Sequence, residues 1–491
     1  MELFWHRRDL RVADDVGLAA AASRDDTGPV APVFVFDDDV LAHASDVRVR
    51  RLLDGLAALR DAYRERGSDL LVARGDPADV LPALAAGVDA ERVVWNRDYS
   101  GLARERDARV RRALDDVDVR REAHHDAVLH EPDSIRTNAG DPYSVYSYYW
   151  KKWRDREADA PAPAPEGDAL ASTTALADAD GDVDVAVGDL PTPTELGFTE
   201  PDVDLGPAGT DAARERLEAF LADDVFSYET DRDYPAREAT SRLSTHLKYG
   251  EIGIREACAA TEEALAAAAD RSTDRSEEDA AESVEEFQAQ LAWRDFYTQV
   301  LYHNPEVVTE NYKSYEEPIE WRDDLEEIAA WKRGETGYPI VDAGMRQLLA
   351  EGYMHNRVRM VVASFLTKDL LADWRHGYDH FRDHLADHDT ANDNGGWQWA
   401  ASTGTDAQPY FRIFNPMTQG ERYDPDAEYI TAHVPELRGV DPELIHEWPD
   451  LMAVQRANAA PEYPDPIVDH GERREATLAM YKRARGEDPD E

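Results

Sequence analysis

Short apolar runs alternate with amphipathic stretches over the first 130 residues of the chain. Strand-length apolar runs occupy Glu2–His6, Val30–Phe36, 69–73 and 92–95. Helical periodicity fills the intervals, as in residues 49–66 and 77–86. Because strands that alternate with helices are typical of βαβ units, this pattern predicts a doubly wound parallel sheet.

The pattern changes twice further along the chain. Residues 158–210 lose regular periodicity and begin with a proline-alanine run, which predicts an extended linker. From residue 211 onward, apolar positions recur at helical spacing. We therefore expect an α/β domain at 1–130, an interdomain linker at 131–210 and an all-α domain at 211–491. A second acidic, alanine-rich tract at 264–286 predicts an exposed helix end followed by a loop.

The net charge of −49 and the use of only seven lysines modify this picture. An acidic surface of this kind suits a protein that folds in concentrated salt, where screening removes self-repulsion. A disordered acidic chain is excluded because 42% of the residues are hydrophobic and 11 are tryptophan. The overall charge opposes nucleic-acid binding, so any such contact must come from a local basic patch and from stacking.

Cysteine usage and the first residues exclude further classes. One cysteine, Cys258, rules out a disulfide framework, a multi-cysteine zinc site and a four-cysteine iron–sulfur cluster. The first residues do not form a signal peptide, and no apolar run reaches membrane-spanning length, so we expect a soluble, cytoplasmic protein. Residues 6–11 follow the first strand without a glycine-rich loop, which argues against a simple dinucleotide site.

Aromatic and charged residues are concentrated in two late segments, 353–360 and 394–406. Trp397 and Trp399 would project about 200° apart on a helix, one toward the interior and one toward a cavity. Asn356, Arg359 and Met360 would share a helix face, with Arg359 placed to pair with an aspartate of the 387–389 segment. Burial of such a mixture is costly unless a polar, planar ligand satisfies it.

Two other segments allow more than one interpretation. The acidic run 387–394 alternates as in calcium loops but lacks the closing glutamate, so we predict no metal there. The hydroxyls of Thr240, Ser241 and Ser244 precede a helical run, where they would serve as ordinary helix caps or bind a pyrophosphate.

Together with residues 6–11, 228–250 and 287–296, these segments resemble the class I DNA photolyases of the photolyase/cryptochrome family over nearly the whole chain. The resemblance implies an N-terminal antenna domain and a helical domain that binds FAD and DNA. It also implies light-driven repair of cyclobutane pyrimidine dimers by electron transfer from excited, reduced FAD to the flipped-out dimer, which makes the chain a deoxyribodipyrimidine photo-lyase. The substrate would be UV-damaged DNA, and the protein is expected to be a monomer without a metal or membrane contact.

The resemblance also assigns roles to individual residues. FAD would be bound by Tyr228, Thr240, Ser241, Arg242, Leu243, Ser244, Arg294, Arg359, Asp387, His388, Asp389 and Asp393. DNA would be bound by Arg232, Gln290, Trp293, Arg294, Asn356, Arg357, Met360, Trp399 and Gln419. Trp397, Trp374 and Trp321 would form an electron relay from the flavin to the surface, and Asp393 would face flavin nitrogen N5.

Two positions depart from the pattern of dimer-repair enzymes. Gln290 stands where they commonly have a glutamate, and an amide cannot transfer a proton as a carboxyl can. Asp393 stands where many photolyases have asparagine and plant cryptochromes have aspartate. The alternatives are therefore a cryptochrome-like blue-light photoreceptor and, less favoured, a 6-4 photolyase. The His355-Asn356 pair matches the cyclobutane-dimer enzymes, and the short C-terminal segment opposes the photoreceptor.

The identity of the antenna chromophore is predicted from the residues at the position where many relatives bind a folate. Leu102 and Ala103 occupy the place of the Asn-Glu pair that holds methenyltetrahydrofolate in many bacterial relatives. The aromatic runs 142–146 and 150–153 would instead enclose 8-hydroxy-5-deazaflavin or coenzyme F420.

Overall fold

The computed structural model describes residues 1–24, 28–177, 185–268 and 277–488. Contacts group the chain into two compact units. The first comprises Met1–Glu229 and Ser241–Pro305, and the second Thr230–Thr240 and Glu306–Glu491. This grouping follows contact density, and the domain boundaries at residues 130 and 210 remain a prediction.

The first unit contains a six-stranded sheet in the order β5-β4-β1-β2-β3-β6. Its strands are β1 (Glu2–His6), β2 (Val30–Phe36), β3 (Leu71–Arg74), β4 (Arg92–Asn96), β5 (Arg120–His124) and β6 (Val185–Val187). The pairs among β1 to β5 are parallel, whereas β6 runs antiparallel to β3. The chain passes from β1 to β2 on one side and later to β4 on the other, so β1 and β4 flank a switch point of a doubly wound sheet.

Helices follow the strands and then dominate the chain. In the first 260 residues they are α1 (Val16–Ala22), α2 (Asp38–Leu41), α3 (Asp46–Arg64), α4 (Pro77–Gly87), α5 (Gly101–Asp116), α6 (Tyr146–Arg154), α7 (Thr173–Ala177), α8 (Thr210–Ala222), α9 (Tyr228–Asp231), α10 (Ser244–Tyr249) and α11 (Ile254–Ala268). The later ones are α12 (Glu277–His303), α13 (Leu325–Arg333), α14 (Pro339–Glu351), α15 (Asn356–Ser364), α16 (Trp374–His384), α17 (Thr390–Ala400), α18 (Pro416–Tyr423), α19 (Glu428–His433), α20 (Pro442–His446), α21 (Ala453–Ala459) and α22 (His470–Ala484).

Four apolar clusters support these layers. Each face of the sheet buries its own apolar cluster, because alternate residues of β1 point to opposite sides, as Phe4 and Trp5 do. A third cluster in the first unit joins α6, α8, α11 and α12. The second unit buries a single large cluster around Trp331, Trp374 and Trp397. These three tryptophans are fully or almost fully buried, so they belong to the core of the second unit.

The predicted linker is more regular than its composition indicates. It contains α6, and β6 adds a short edge strand to the sheet. The prediction of an exposed helix end and loop at 264–286 is confirmed only in part: α11 ends at Ala268 with Ala266 and Ala267 exposed, whereas α12 already begins at Glu277. Ala264 and Ala268 are buried on α11, and Ala280 and Val284 are buried on α12. Their small side chains let these helices approach closely, and residues 269–276 of that tract lie outside the described residues. Among the described helices, none is long and apolar enough to cross a membrane.

Candidate flavin and DNA site

Arg359 and Asp387 form the charged centre of the second unit. One terminal nitrogen of Arg359 donates to both carboxylate oxygens of Asp387, at 3.0 and 2.8 Å, and Nε donates to the carbonyl of Met354 at 2.8 Å. Burial opposes the charge of this guanidinium, but Asp387 and Asp393 prevail and raise the pKa of Arg359. The expected pairing of Arg359 with an aspartate of this segment is confirmed for Asp387.

Asp389 and Asp393 extend this polar edge at the start of α17. Asp389 caps the helix by accepting from the backbone amides of Ala391 and Asn392. One Asp393 oxygen lies 2.6 Å from His388 Nδ1 and accepts from the amide of Asp389, while the other lies 3.8 Å from Arg359. The Asp393 carboxylate therefore lies between an imidazole and a guanidinium, at the same polar edge as Asp387.

Trp397 lies on the same helix and is 2% exposed. A Cβ atom at Gly377 of α16 would overlap with its ring, so the absence of a side chain there lets α16 and α17 pack closely. The indole Nε1 of Trp397 is buried and has no hydrogen-bond partner among the described residues. An unsatisfied buried donor is uncommon in a folded protein and is consistent with a site that a polar ligand completes.

The other two tryptophans of the predicted relay occupy different environments. Trp374 begins α16, is fully buried and donates from Nε1 to Asn311 at 2.9 Å. Trp321 is half-buried and packs near Leu371 and Tyr481, with its ring 6.3 Å from that of Tyr481. These environments match a buried middle member and a solvent-accessible end member, although the relay itself remains a prediction.

The predicted DNA residues of the second unit lie on partly exposed surface. Asn356 is exposed, Met360 and Trp399 are partly exposed, and the ring of Trp399 lies 6.4 Å from that of Phe414. Gln419, on α18, has a buried Oε1 without a hydrogen-bond partner among the described residues. This incomplete satisfaction is consistent with a further polar contact from a ligand.

Arg357 is held by two residues that the sequence analysis did not identify. It donates to Asp233 at 2.6 Å, and its guanidinium carbon lies 4.5 Å from the ring centroid of Tyr423. The ring of Tyr234 lies 6.4 Å from that of Tyr423, and Arg232 lies in the same loop as Asp233. Because 124 residues separate Arg357 from Asp233, no local spacing could have indicated their contact.

In the first unit, the rings of Trp293 and Tyr146 are stacked, with centroids 3.6 Å apart and planes at 10°. One face of the indole is therefore covered, which limits the predicted stacking of a lesion on Trp293 to its other face or its edge. One turn earlier on α12, Gln290 donates to the carboxylate of Glu286 at 2.9 Å. The carboxylate of Glu286 therefore lies next to Gln290, the amide that stands where dimer-repair enzymes commonly have a glutamate.

Arg294 and Asp295 are anchored by residues 127–130, by α6 and by α10. Arg294 donates to the carbonyls of Ala127 and Leu247, at 2.6 and 3.3 Å. Asp295 accepts from the amides of Leu129 and His130 and from the indole of Trp153. Burial raises the pKa of Asp295 to about 6, against the lowering effect of these hydrogen bonds and of the Arg294 charge.

The predicted phosphate-binding run is a turn ahead of α10. Ser241 accepts weakly from the amide of Leu243, and Arg242 adopts a positive φ of 48°. The helix begins at Ser244, with Leu243 in the cap position and no side-chain capping hydrogen bond. The capping interpretation therefore has no support from α10, and phosphate binding by Thr240–Ser244 remains a prediction. Tyr228 is buried, with its ring edge-on to those of Phe220 and Phe287.

The aromatic residues assigned to the antenna are largely structural. Tyr146 is buried against Trp293, and Trp153 donates to Asp295 at 2.8 Å. Trp150 lies 5.5 Å from Trp153, in a stacked arrangement. The expectation that these runs enclose a deazaflavin is not supported, because their rings pack on one another and on α12.

A different cluster lies at the carboxyl end of β1. Arg7 and Arg106 lie over the ring of Trp5, 4.8 and 5.1 Å from its centroid. The indole nitrogen of Trp5 and the Nε atoms of Arg7 and Arg106 lack hydrogen-bond partners among the described residues. Burial and the neighbouring Arg7 lower the pKa of Arg106. The carboxyl ends of strands beside a switch point commonly hold ligands.

One group of described residues has the geometry of a metal site, and it lies away from the acidic run 387–394. Potential ligand atoms of His6, Asp9 and Asp15 lie within 4.8 Å of one another. Both ring nitrogens of His6 are already hydrogen-bonded, to the carbonyl of Asp9 and to the hydroxyl of Tyr63. The cluster is therefore explained by internal hydrogen bonding, and the absence of a metal remains a prediction.

Comparisons with known proteins agree with this arrangement. Residues 2–166 match the family model described as DNA photolyase, and residues 287–483 match the FAD binding domain of DNA photolyase. A deoxyribodipyrimidine photo-lyase of Halobacterium salinarum is 63% identical, over 99% of this chain and 100% of that protein.

Solved structures give the same result. A bacterial class III photolyase from Agrobacterium tumefaciens has a TM-score of 0.87 and 36% identity, over 99% of this chain and 98% of that one. An archaeal photolyase from Sulfolobus tokodaii, solved with two FAD molecules, has a TM-score of 0.79 and 30% identity, over 98% of this chain and 100% of that one. With both family models matched and these identities extending over nearly its full length, the chain belongs to the photolyase/cryptochrome family.

Proposed function

We propose that this protein is a deoxyribodipyrimidine photo-lyase that repairs cyclobutane pyrimidine dimers in DNA with light. The observation that carries this proposal is the 63% identity to a photo-lyase over the whole chain. The buried polar edge of Arg359, Asp387 and Asp393 beside an unsatisfied Trp397 indole supports it independently. Assignment to class I is part of the proposal and rests on the sequence resemblance.

FAD fits the residues of the second unit. The aspartates and Arg359 offer acceptors and a donor for the polar edge of a flavin ring, and Trp397 Nε1 is an unsatisfied buried donor. When bound and reduced, FAD supplies the light-excited electron that splits the dimer, and the protein positions and tunes it. Asp387 keeps Arg359 in place, and Asp393, held between His388 and Arg359, offers its carboxylate to the flavin.

DNA binding must overcome the net charge of −49. Arg357, which is cradled by Asp233 and Tyr423, and the neighbouring Arg232 supply local positive charge. Trp399 offers a partly exposed ring on which a flipped base can stack. In molar salt, counterion release contributes little, so stacking must provide a large share of the affinity.

The photoreceptor alternative is favoured by two departures from the pattern of dimer-repair enzymes, first Gln290 and second Asp393. The hydrogen bond between Gln290 and Glu286 weakens the first point, because it keeps a carboxylate next to the amide. The 6-4 photolyase alternative lacks the second histidine, since Asn356 follows His355.

The decisive experiment measures repair of an oligonucleotide carrying one thymine cyclobutane dimer. It is run in molar KCl with photoreduced protein, in light and in darkness, beside an oligonucleotide carrying a 6-4 lesion. Repair of the dimer only in light is the expected result. Bound, photoreducible flavin without repair of either lesion would support the photoreceptor, and repair of the 6-4 lesion alone would support that enzyme.

For the antenna, we propose a deazaflavin bound at the carboxyl end of β1. The unsatisfied donors of Trp5, Arg7 and Arg106 suit an anionic chromophore. The Sulfolobus tokodaii relative contains a second FAD, which makes a flavin nucleotide the competing ligand. Reconstitution with each chromophore, and with methenyltetrahydrofolate, followed by absorption spectra of the washed protein, identifies the ligand; retention of folate alone would overturn the proposal.

A further inference from the structure

Trp397 contacts a tryptophan outside the predicted relay. The ring of Trp331, on α13, lies 6.0 Å from that of Trp397 in an edge-to-face arrangement at 77°. Among the described residues, the other aromatic ring in contact with Trp397 is Phe381, at 4.9 Å. Trp374 lies three residues before Gly377, the residue on which Trp397 packs, but the ring of Trp374 contacts that of Tyr378. The indole in direct ring contact with Trp397 is therefore Trp331.

From this geometry we propose that Trp331 is a reversible side branch of the electron relay that begins at Trp397. The inference rests on the proposed role of Trp397 as the flavin-proximal donor. In the step, Trp397 loses one electron to the photoexcited, oxidised flavin and becomes a radical cation. One electron then passes from the Trp331 indole to Trp397, which leaves Trp397 neutral and the positive charge on Trp331. No proton moves.

The surroundings of Trp331 keep that charge from leaving. Trp331 is fully buried, and its Nε1 donates to the carbonyl of Val362 at 3.1 Å. A carbonyl is too weak a base to take the indole proton. The nearest imidazole, His380, lies 5.6 Å from the Trp331 ring and makes no hydrogen bond to its nitrogen. Among the described residues, the rings in contact with Trp331 are those of His380 and Trp397, so the charge on Trp331 returns to Trp397.

The pair is well suited to reversible exchange. Both partners are buried indoles in one apolar core, and the carbonyl that accepts from Trp331 Nε1 stabilises a positive charge there, whereas Trp397 Nε1 has no such acceptor among the described residues. Burial, with the charges of His384 and Lys332, lowers the pKa of His380 to about 3, so that this imidazole is neutral near pH 7 and does not repel a positive charge on Trp331. Trp331 thus competes with forward transfer to Trp374 and delays charge recombination at Trp397.

The test measures the lifetime of the tryptophan radical cation by transient absorption in the flavin-loaded protein. Trp374→Phe blocks the forward branch, and Trp374→Phe/Trp331→Phe blocks both. We expect the radical to live several-fold longer in the single variant than in the double variant. Equal lifetimes would overturn the side branch.

Three further variants keep the result interpretable. Trp397→Phe should abolish the radical; its persistence there would overturn the proximal role of Trp397, and with it the basis of this inference. Phe381→Leu in the Trp374→Phe background removes the other ring on Trp397 without removing an oxidisable group, so the lifetime should not change. A lifetime shortened as much as by Trp331→Phe would assign the effect to packing and overturn the proposal. Trp331→Phe alone should leave repair by chemically reduced enzyme intact, and a loss there would point to a structural role.

Discussion

The phenol of Tyr146 lies flat on the indole of Trp293, with ring centroids 3.6 Å apart and planes at 10°. Tyr146 is the first residue of α6, and its hydroxyl donates to the carbonyl of Ala289 on α12. The stack therefore joins two helices and sets the orientation of Trp293, a residue expected to contact the lesion.

Tyr146→Leu should weaken binding of dimer-containing DNA without unfolding the protein. The aromatic pair contributes about 1 kcal/mol to the packing of α6 on α12. Without it the indole of Trp293 is no longer held in one orientation, so the affinity for the lesion should fall roughly fivefold. Fluorescence anisotropy with an oligonucleotide carrying one dimer measures it. Tyr148→Leu is the matched control, because Tyr148 lies on the same helix and is 59% exposed. Equal affinities for the two variants would contradict the role of Tyr146.

Trp399→Ala should also reduce affinity for damaged DNA, but by removing a stacking surface. A stacked base contributes about 1–3 kcal/mol, so a loss of roughly tenfold is expected. Affinity for undamaged duplex should change little, since no base is flipped out. Leu349→Ala, another partly exposed residue of the second unit, serves as the control. Unchanged affinity for the lesion would remove Trp399 from the lesion-binding surface.

Trp321→Phe should block photoreduction of oxidised FAD while sparing repair by chemically reduced protein. Of the three tryptophans of the proposed relay, the half-buried Trp321 is the one that an external reductant can reach, whereas Trp374 and Trp397 are buried. Flavin absorption under blue light with a thiol reductant measures the first effect, and dimer repair after dithionite treatment measures the second. Lost repair in the reduced protein would refute the assignment.

Asp393→Asn should change the protonation or the lifetime of the photoreduced flavin. The substitution keeps the shape of the side chain but removes a carboxylate that lies 2.6 Å from His388 and 3.8 Å from Arg359. Absorption spectra recorded during photoreduction and reoxidation, over a range of pH, compare the two proteins. Identical spectra and decay rates would indicate that Asp393 does not govern flavin N5.

Asp295→Asn should flatten the dependence of stability on pH. The pKa of Asp295 is about 6 in the folded protein against 3.8 for an unperturbed carboxyl, so between these values the folded state holds the extra proton. The protonated Asp295 carboxyl therefore stabilises the folded state fully below about pH 4, and this stabilisation is lost as the pH rises through about 6. The free energy of unfolding changes by about 3 kcal/mol over that range. Denaturant unfolding at pH 4.5 to 7 in molar KCl measures it.

The matched control for that experiment is the exposed Asp383→Asn. The free energy of unfolding of the parent should fall between pH 4.5 and pH 7, whereas that of Asp295→Asn should stay nearly constant. The variant should therefore compare less favourably with the parent at pH 4.5 than at pH 7. A slope for Asp295→Asn equal to that of the parent would contradict a protonated carboxyl at this site.

Part of the architecture could be predicted from local patterns. β1 and β2 begin and end at the predicted residues, because continuous apolar runs are typical of strands buried on both faces. β5 was not predicted, since its sequence Arg-Arg-Glu-Ala-His carries charges and it lies at an edge with partial exposure. β6 escaped notice because its three residues follow a low-complexity tract and are stabilised by pairing with β3.

The sequence by itself determined the α/β and helical classes, the segments 353–360 and 394–406 as the candidate site and the family resemblance. These depend on periodicity and on runs of neighbouring residues, which local spacing records. Tertiary structure alone decided that Asp233 and Tyr423 hold Arg357, that Tyr146 covers one face of Trp293 and that Trp331 meets Trp397. Each of these contacts joins residues more than 60 positions apart, where the packing of helices rather than local spacing brings side chains together.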